Sequence, residues 1–230
     1  FGKAQVFAGK AEGIGTLSQI LAADEGNAAA HYIRGLGYSQ SDDLSKALAD
    51  FEAAHRLQPG SAEIVFARGM IQVRRGEKDL AVADYDLAQR LAPQDASIAI
   101  EKAELVYDPK APAAALAALN DALRMEPANP LALRRRGWIY GEGGDWARGR
   151  ADMEAAANAA PDDPETLYDV AVYRAHAEDV IGARSLMDRV LRLQPDYLPA
   201  LRDRARLLSD DGRYAPALKV AGTILGESSL

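Results

Sequence analysis

The chain contains no cysteine, which excludes disulfides, thiolate metal sites and cysteine nucleophiles. That absence leaves the compartment undetermined, because a cysteine-free chain suits bacterial cytoplasm and periplasm alike. Histidine is scarce: His31, His55 and His176 are the only three, and none stands in a paired metal-binding spacing such as HExxH. His31 and His55 read as packing or surface residues, and His176 as a solvated residue at the edge of a binding face. Long apolar runs are missing as well. The longest uncharged stretch of small apolar residues, 111–119, is about half of the roughly 20 residues that a membrane-spanning helix needs. Positive charge is in deficit, with 27 Lys and Arg against 34 Asp and Glu, a formal charge of -7. A field of that sign repels polyanions and argues against nucleic acid as a partner. Arginine outnumbers lysine and alanine is abundant, a coding bias that hints at a bacterial source. The chain opens on Phe1 with no basic segment leading into an apolar one, so a processed protein or an excised fragment is expected.

Catalytic signatures are also lacking. There is no GxSxG elbow, phosphate-binding loop or dinucleotide fingerprint, and GKAEGIG at 9–15 has neither a preceding strand nor the right spacing. The acidic pairs Asp42/Asp43 and Asp162/Asp163 fall at turns or helix starts, where carboxylates cap amide groups. The reading is therefore a non-enzyme with no cofactor and no metal.

What the chain does have is a period. Pro59, Pro93, Pro127, Pro161 and Pro195 are each separated by 34 residues, and each ends a helical phrase that proline cannot continue. In the same phase runs a small column, Gly35, Gly69, Ala103, Gly137, Ala171 and Ala205. Twelve residues on stands a second, Ala47, Ala81, Ala115, Gly149, Ala183 and Ala217. Four residues beyond it is a bulky column, Phe51, Tyr85, Leu119, Met153, Met187 and Ala221, and three further on Ala54, Ala88, Ala122, Ala156, Val190 and Ile224. Steps of four and three put these side chains on one helical face. Turn residues separate the halves of each unit, among them GEGGD at 141–145 and the proline-bearing YDPKAP at 107–112.

Helix, short turn, helix and proline stop at this period resemble the tetratricopeptide repeat. The resemblance covers six units, 28–61, 62–95, 96–129, 130–163, 164–197 and 198–230, with 1–27 as a partial or degraded leading repeat. It implies an all-α, right-handed superhelical solenoid. The third unit, with Ala103 and its two prolines, and the sixth, with Ala221 and no closing proline, depart from the pattern, so irregular packing is expected there. The pentatricopeptide array, which reads single-stranded RNA, fits worse in period and charge.

Where the family places a core leucine, this chain has Arg34, Arg68, Lys102, Arg136, Val170 and Arg204. A lone charge there would be costly, so partners are needed. The residue before the bulky column reads Asp50, Asp84, Ala118, Asp152, Leu186 and Val220. The agreement between the two columns suggests ion pairs Arg34 with Asp50, Arg68 with Asp84 and Arg136 with Asp152. Lys102 and Arg204 have no such partner in their own units and are expected to extend their heads to water.

The family resemblance implies a concave wall lined by first helices, including residues two before and two after the cationic column. These are Tyr32, Leu36, Phe66, Met70 and Ile100 in the first half, with Glu104 the exception, then Arg134, Trp138, Tyr168, Val172, Arg202 and Arg206 in the second. Tyr32, Leu36, Phe66 and Met70 fit a seam between adjacent helices as well as a binding wall. Arg134 and Trp138, with Arg135 beside them, are read as recognition residues, with Arg202 and Arg206 receiving acidic groups. The clamp by which chaperone-binding members grip a C-terminal carboxylate is missing, since its places hold Tyr32, Leu36 and Ala67. The function so implied is a protein-interaction scaffold for a peptide or partner protein, with self-association open. The alternative is a helical-repeat appendage of a larger enzyme whose catalytic domain lies outside this chain.

Overall fold

The computed structural model describes residues 11–210, and among these every regular element is an α-helix. There are twelve: α1 (Ala11–Ala23), α2 (Ala28–Gln40), α3 (Leu44–Leu57), α4 (Ala62–Arg74), α5 (Lys78–Leu91), α6 (Ala96–Val106), α7 (Ala113–Met125), α8 (Pro130–Glu142), α9 (Trp146–Ala159), α10 (Pro164–His176), α11 (Val180–Leu193) and α12 (Leu198–Asp210). Residues 1–10 of the leading piece, and Ala217, Ala221 and Ile224 of the sixth unit, lie outside the described residues.

Local chemistry explains where the helices begin. Asn27, Asp43, Ser61, Asp95, Asn129, Asp145, Asp163 and Asp179 each accept a backbone amide with the side chain, satisfying a donor that the first turn leaves free. Pro130 and Pro164 sit in the first turn, where a missing amide hydrogen costs nothing. Between paired helices, one turn position is left-handed: Asp42, Gly76, Gly144 and Glu178 have φ of 60°, 77°, 82° and 62°.

The chain divides into two compact units, Phe1–Tyr107 and Asp108–Leu230. The division falls inside YDPKAP, where the third helical pair was expected to be irregular. Here α6 stops after 11 residues at Val106, and Tyr107 is extended with φ -62° and ψ 128°. Pro109 disfavours helical backbone at Asp108, which accounts for the early stop.

In the first unit, Phe51 and Tyr85 from the bulky column are buried, each in its own cluster, with Ala47, Ala67 and Ile71 around the first and Val65, Ala88 and Ile98 around the second. Each ring contributes about 1.5–3 kcal/mol by leaving water. The small column admits them: a Cβ on Gly35 would lie 2.8 Å from Phe51 Cε1, and one on Gly69 2.8 Å from Tyr85 Cε1. In the second unit, Ala171, Ala183, Met187 and Leu207 form one cluster, and Met153, Val170 and Tyr173 another.

Candidate functional site

The cationic column lies between first and second helices, and its charges are answered. Arg34 Nε and Nη2 donate to Asp50 at 2.7 Å each, and Arg136 makes the same two bonds to Asp152. Arg68 donates to Asp84 at 2.7 and 2.5 Å. All three aspartates are buried. The hydrogen bond to its aspartate raises each guanidinium pKa, with burial opposing. In the fifth unit, Val170 is buried and Leu186 half-buried, so the charged pair gives way to an apolar one.

Lys102 and Arg204 correct the expectation of heads extended to water. Lys102 pairs with Asp86, and Arg204 Nε lies 2.5 Å from Asp188. Both reach 16 residues back, to the preceding second helix. Arg34 and Arg136 use that direction too, donating to Ser18 Oγ at 3.1 Å and Asn120 Oδ1 at 2.7 Å. The signal was present in the sequence: Glu52, Asp86, Asn120, Glu154 and Asp188, all polar, directly follow the bulky column. That column belongs to the preceding unit, outside the helical pair that carries the cation.

The first-helix faces divide between packing and exposure. Tyr32 packs its ring 5.8 Å from Phe51 and donates from its hydroxyl to Glu63 at 2.7 Å, while Leu36 packs on the same cluster. Burial, then the bond to Glu63, raises the Tyr32 pKa. Phe66 rests against Tyr85 at 5.4 Å. These three fill seams; Met70, 44% exposed, does not.

Arg134 corrects a second expectation. It is only 6% exposed, with Nη1 2.8 Å from Asp169 and Nη2 3.3 Å from Glu165, both on the next first helix. Its charge is taken up inside the array and is not presented for recognition. Burial raises the Asp169 pKa, and Arg134 works against that shift. Arg135 is half-buried. Trp138 is half-buried and stands edge-on to Tyr173 at 5.4 Å and to His176 at 5.7 Å, so it supports neighbouring rings. Tyr168 donates to Asp203 at 2.8 Å and packs beside Tyr197, and its pKa is raised by burial and then by Asp203. Tyr32, Arg134 and Tyr168 all reach forward 31 or 35 residues to a carboxylate, a link that no single repeat displays.

Arg202 and Arg206 are exposed, and Arg206 has Asp203 3.4 Å away. Beside them the second unit holds a cavity of about 250 Å³, walled by Val172, Ala175, Met187 and Leu207, with His176, Asp203 and Arg206 also lining it. His176 also lines a cleft of about 710 Å³ formed with Trp146, Ala147, Arg150, Ala177 and Glu178. In the first unit, Ser18, His31 and Arg34 line a cavity of about 530 Å³. Its geometry is not that of a nucleophile: Ser18 Oγ donates to Ile14 O, and His31 hydrogen-bonds Asp50 at 2.8 Å through Nδ1 and Glu25 O at 3.3 Å through Nε2. No group of three acidic or histidine side chains among the described residues could hold a metal.

The tetratricopeptide repeat profile matches residues 35–96, 111–164 and 136–197, more than half of the chain. The chain belongs to the tetratricopeptide repeat family. Solved tetratricopeptide repeat structures have the same fold. The C-terminal part of a repeat protein from Cytophaga hutchinsonii is 13% identical with a TM-score of 0.74, covering 99% of this chain and 95% of that one. PilF of Pseudomonas aeruginosa is 19% identical with a TM-score of 0.70, covering 86% and 89%. YrrB, described as having an unusual peptide-binding site, is 19% identical with a TM-score of 0.56, covering 82% and 97%. A comparison with curated proteins finds no match. Tetratricopeptide repeats stack into extended surfaces that bind proteins, so membership supports an interaction scaffold. No helix among the described residues is long and apolar enough to cross a membrane.

Proposed function

We propose that this tetratricopeptide repeat chain is a non-catalytic scaffold that receives a peptide or partner segment on the first helices of its second unit, α10 and α12. The observation that carries this reading is the cavity of about 250 Å³ walled by Val172, Ala175, Met187 and Leu207, with Arg202 and Arg206 exposed on the same helix that closes it. An apolar hollow with a few polar groups around it is the usual form of a recognition site. The cations matter because the chain as a whole carries -7: a locally positive face would attract acidic segments that the rest of the surface repels. Because the cavity walls belong to packed helices, little ordering cost falls on the scaffold. Tyr168 contributes by holding Asp203, and Trp138 by supporting His176. Met70 marks an exposed apolar point on the first unit.

Affinity capture from the source organism tests the reading, with an Arg202→Glu, Arg206→Glu double variant as control. The expected result is a partner retained by the native chain and lost with the variant. An identical set of partners on both would refute this location for the site.

A further inference from the structure

The partner's chemistry can be narrowed, on the basis of the binding reading above. Arg202 is exposed and pairs with no carboxylate among the described residues, and Arg206 shares only Asp203. Asp203 in turn already accepts from the Tyr168 hydroxyl at 2.8 Å. Among the described residues Arg202 therefore has no carboxylate and the one beside Arg206 is already engaged, which leaves positive charge unanswered there. The neighbouring walls are apolar, and 250 Å³ admits one large side chain and not a helix. His176 lines both this cavity and the cleft beside Trp146, and Trp138 holds its ring edge-on from behind at 5.7 Å. The cleft offers an exposed indole, 42% accessible, together with Arg150, which has no carboxylate partner among the described residues either.

We infer that the ligand is an extended acidic peptide, with a carboxylate side chain at Arg202 and Arg206 and an adjacent large apolar side chain in the cavity. Its chain then crosses His176, and a second carboxylate meets Arg150 beside Trp146. Charge complementarity selects this occupant: Arg202 and Arg206 stand beside the apolar wall of the cavity, and Arg150 stands in the cleft past His176, where Glu178 is the one carboxylate of the lining. A basic peptide would meet like charge at each end, and a neutral one would leave the guanidinium groups unanswered.

The test is selection of a random displayed-peptide library against the full chain, followed by titration of the enriched sequences as synthetic peptides with amidated C-termini. The expected result is enrichment of Asp or Glu beside Leu, Ile, Met or Phe, with binding that weakens as salt rises. Arg202→Glu should lower affinity about tenfold. Trp146→Ala should weaken longer peptides while leaving truncated ones, cut before the second carboxylate, unchanged. Circular dichroism melts of both variants check that the fold is retained. Enriched peptides without acidic bias, or binding that needs a free C-terminal carboxylate, would overturn the inference and leave the scaffold reading standing. Failure of any peptide to enrich would overturn both.

Discussion

The Arg68 and Asp84 pair offers a sharp test of how the repeats are held together. Two hydrogen bonds of 2.7 and 2.5 Å join them, and their side chains are 17% and 8% exposed. Removing one partner strands the other charge where water scarcely reaches, at a cost of roughly 3–5 kcal/mol for a buried pair. Arg68 retains some solvent access and lies within the electrostatic reach of Glu52, so the low end applies, about 3 kcal/mol for Asp84→Leu. Arg68→Val leaves the less exposed Asp84 alone and should cost at least as much. The double variant is the informative one, because the fifth unit already uses Val170 and Leu186 at these places. Replacing a buried ion pair by apolar residues of similar volume is often neutral or stabilising, so the double variant should lie within about 1 kcal/mol of the native chain. Urea unfolding followed by circular dichroism measures this. Amide exchange in α4 and α5 adds a local reading, since repeat arrays need not unfold as one unit. Additive losses, with the double variant worse than either single one, would refute the claim that the pair is replaceable packing.

Three further outcomes follow from the same geometry. Gly69→Ala brings a methyl group to 2.8 Å from the buried Tyr85 ring and should cost about 1–3 kcal/mol; adding Tyr85→Leu should recover part of that loss, and a larger loss would refute it. Glu178→Gly relieves a left-handed backbone of φ 62° and should raise stability by about 0.5–1 kcal/mol, seen as a higher thermal midpoint; a lower one would contradict the strain. Asp163 caps α10, and its pKa is lowered first by the Thr166 side chain and then by backbone amides, with burial opposing. A depressed carboxylate adds stability that is present at neutral pH and is lost as pH falls through its folded pKa, below the ordinary range of about 3.9. Asp163→Asn should therefore be less stable than the native chain near neutrality, with the gap closing in acid; thermal melts across pH check this, and a pH-independent gap would refute it.

The candidate site divides along the same line as the fold. Exposed Arg202 and Arg206 could be placed from the period alone, because their surroundings do not redirect them. Arg134 could not. It shares its column with Tyr32 and Tyr168, yet its fate depends on Glu165 and Asp169, carboxylates 31 and 35 residues away. Lys102 and Arg204 differ from it, since their partners stand only 16 residues back on the preceding helix, in the polar column that follows the bulky one. The cavity at Val172 and Leu207, and the part that His176 plays in two hollows, had no motif to announce them.

Read alone, the sequence determined the helical hairpins, the repeat family and the charged column. Those depend on neighbours within about one repeat: caps and prolines act over a single turn, and the apolar period acts along one helix. Only the tertiary structure decided which cations are spent on packing and which remain exposed. The burial and partners of Arg134 are set by a helix about one repeat further along the chain, beyond the reach of a pattern read along a single helix.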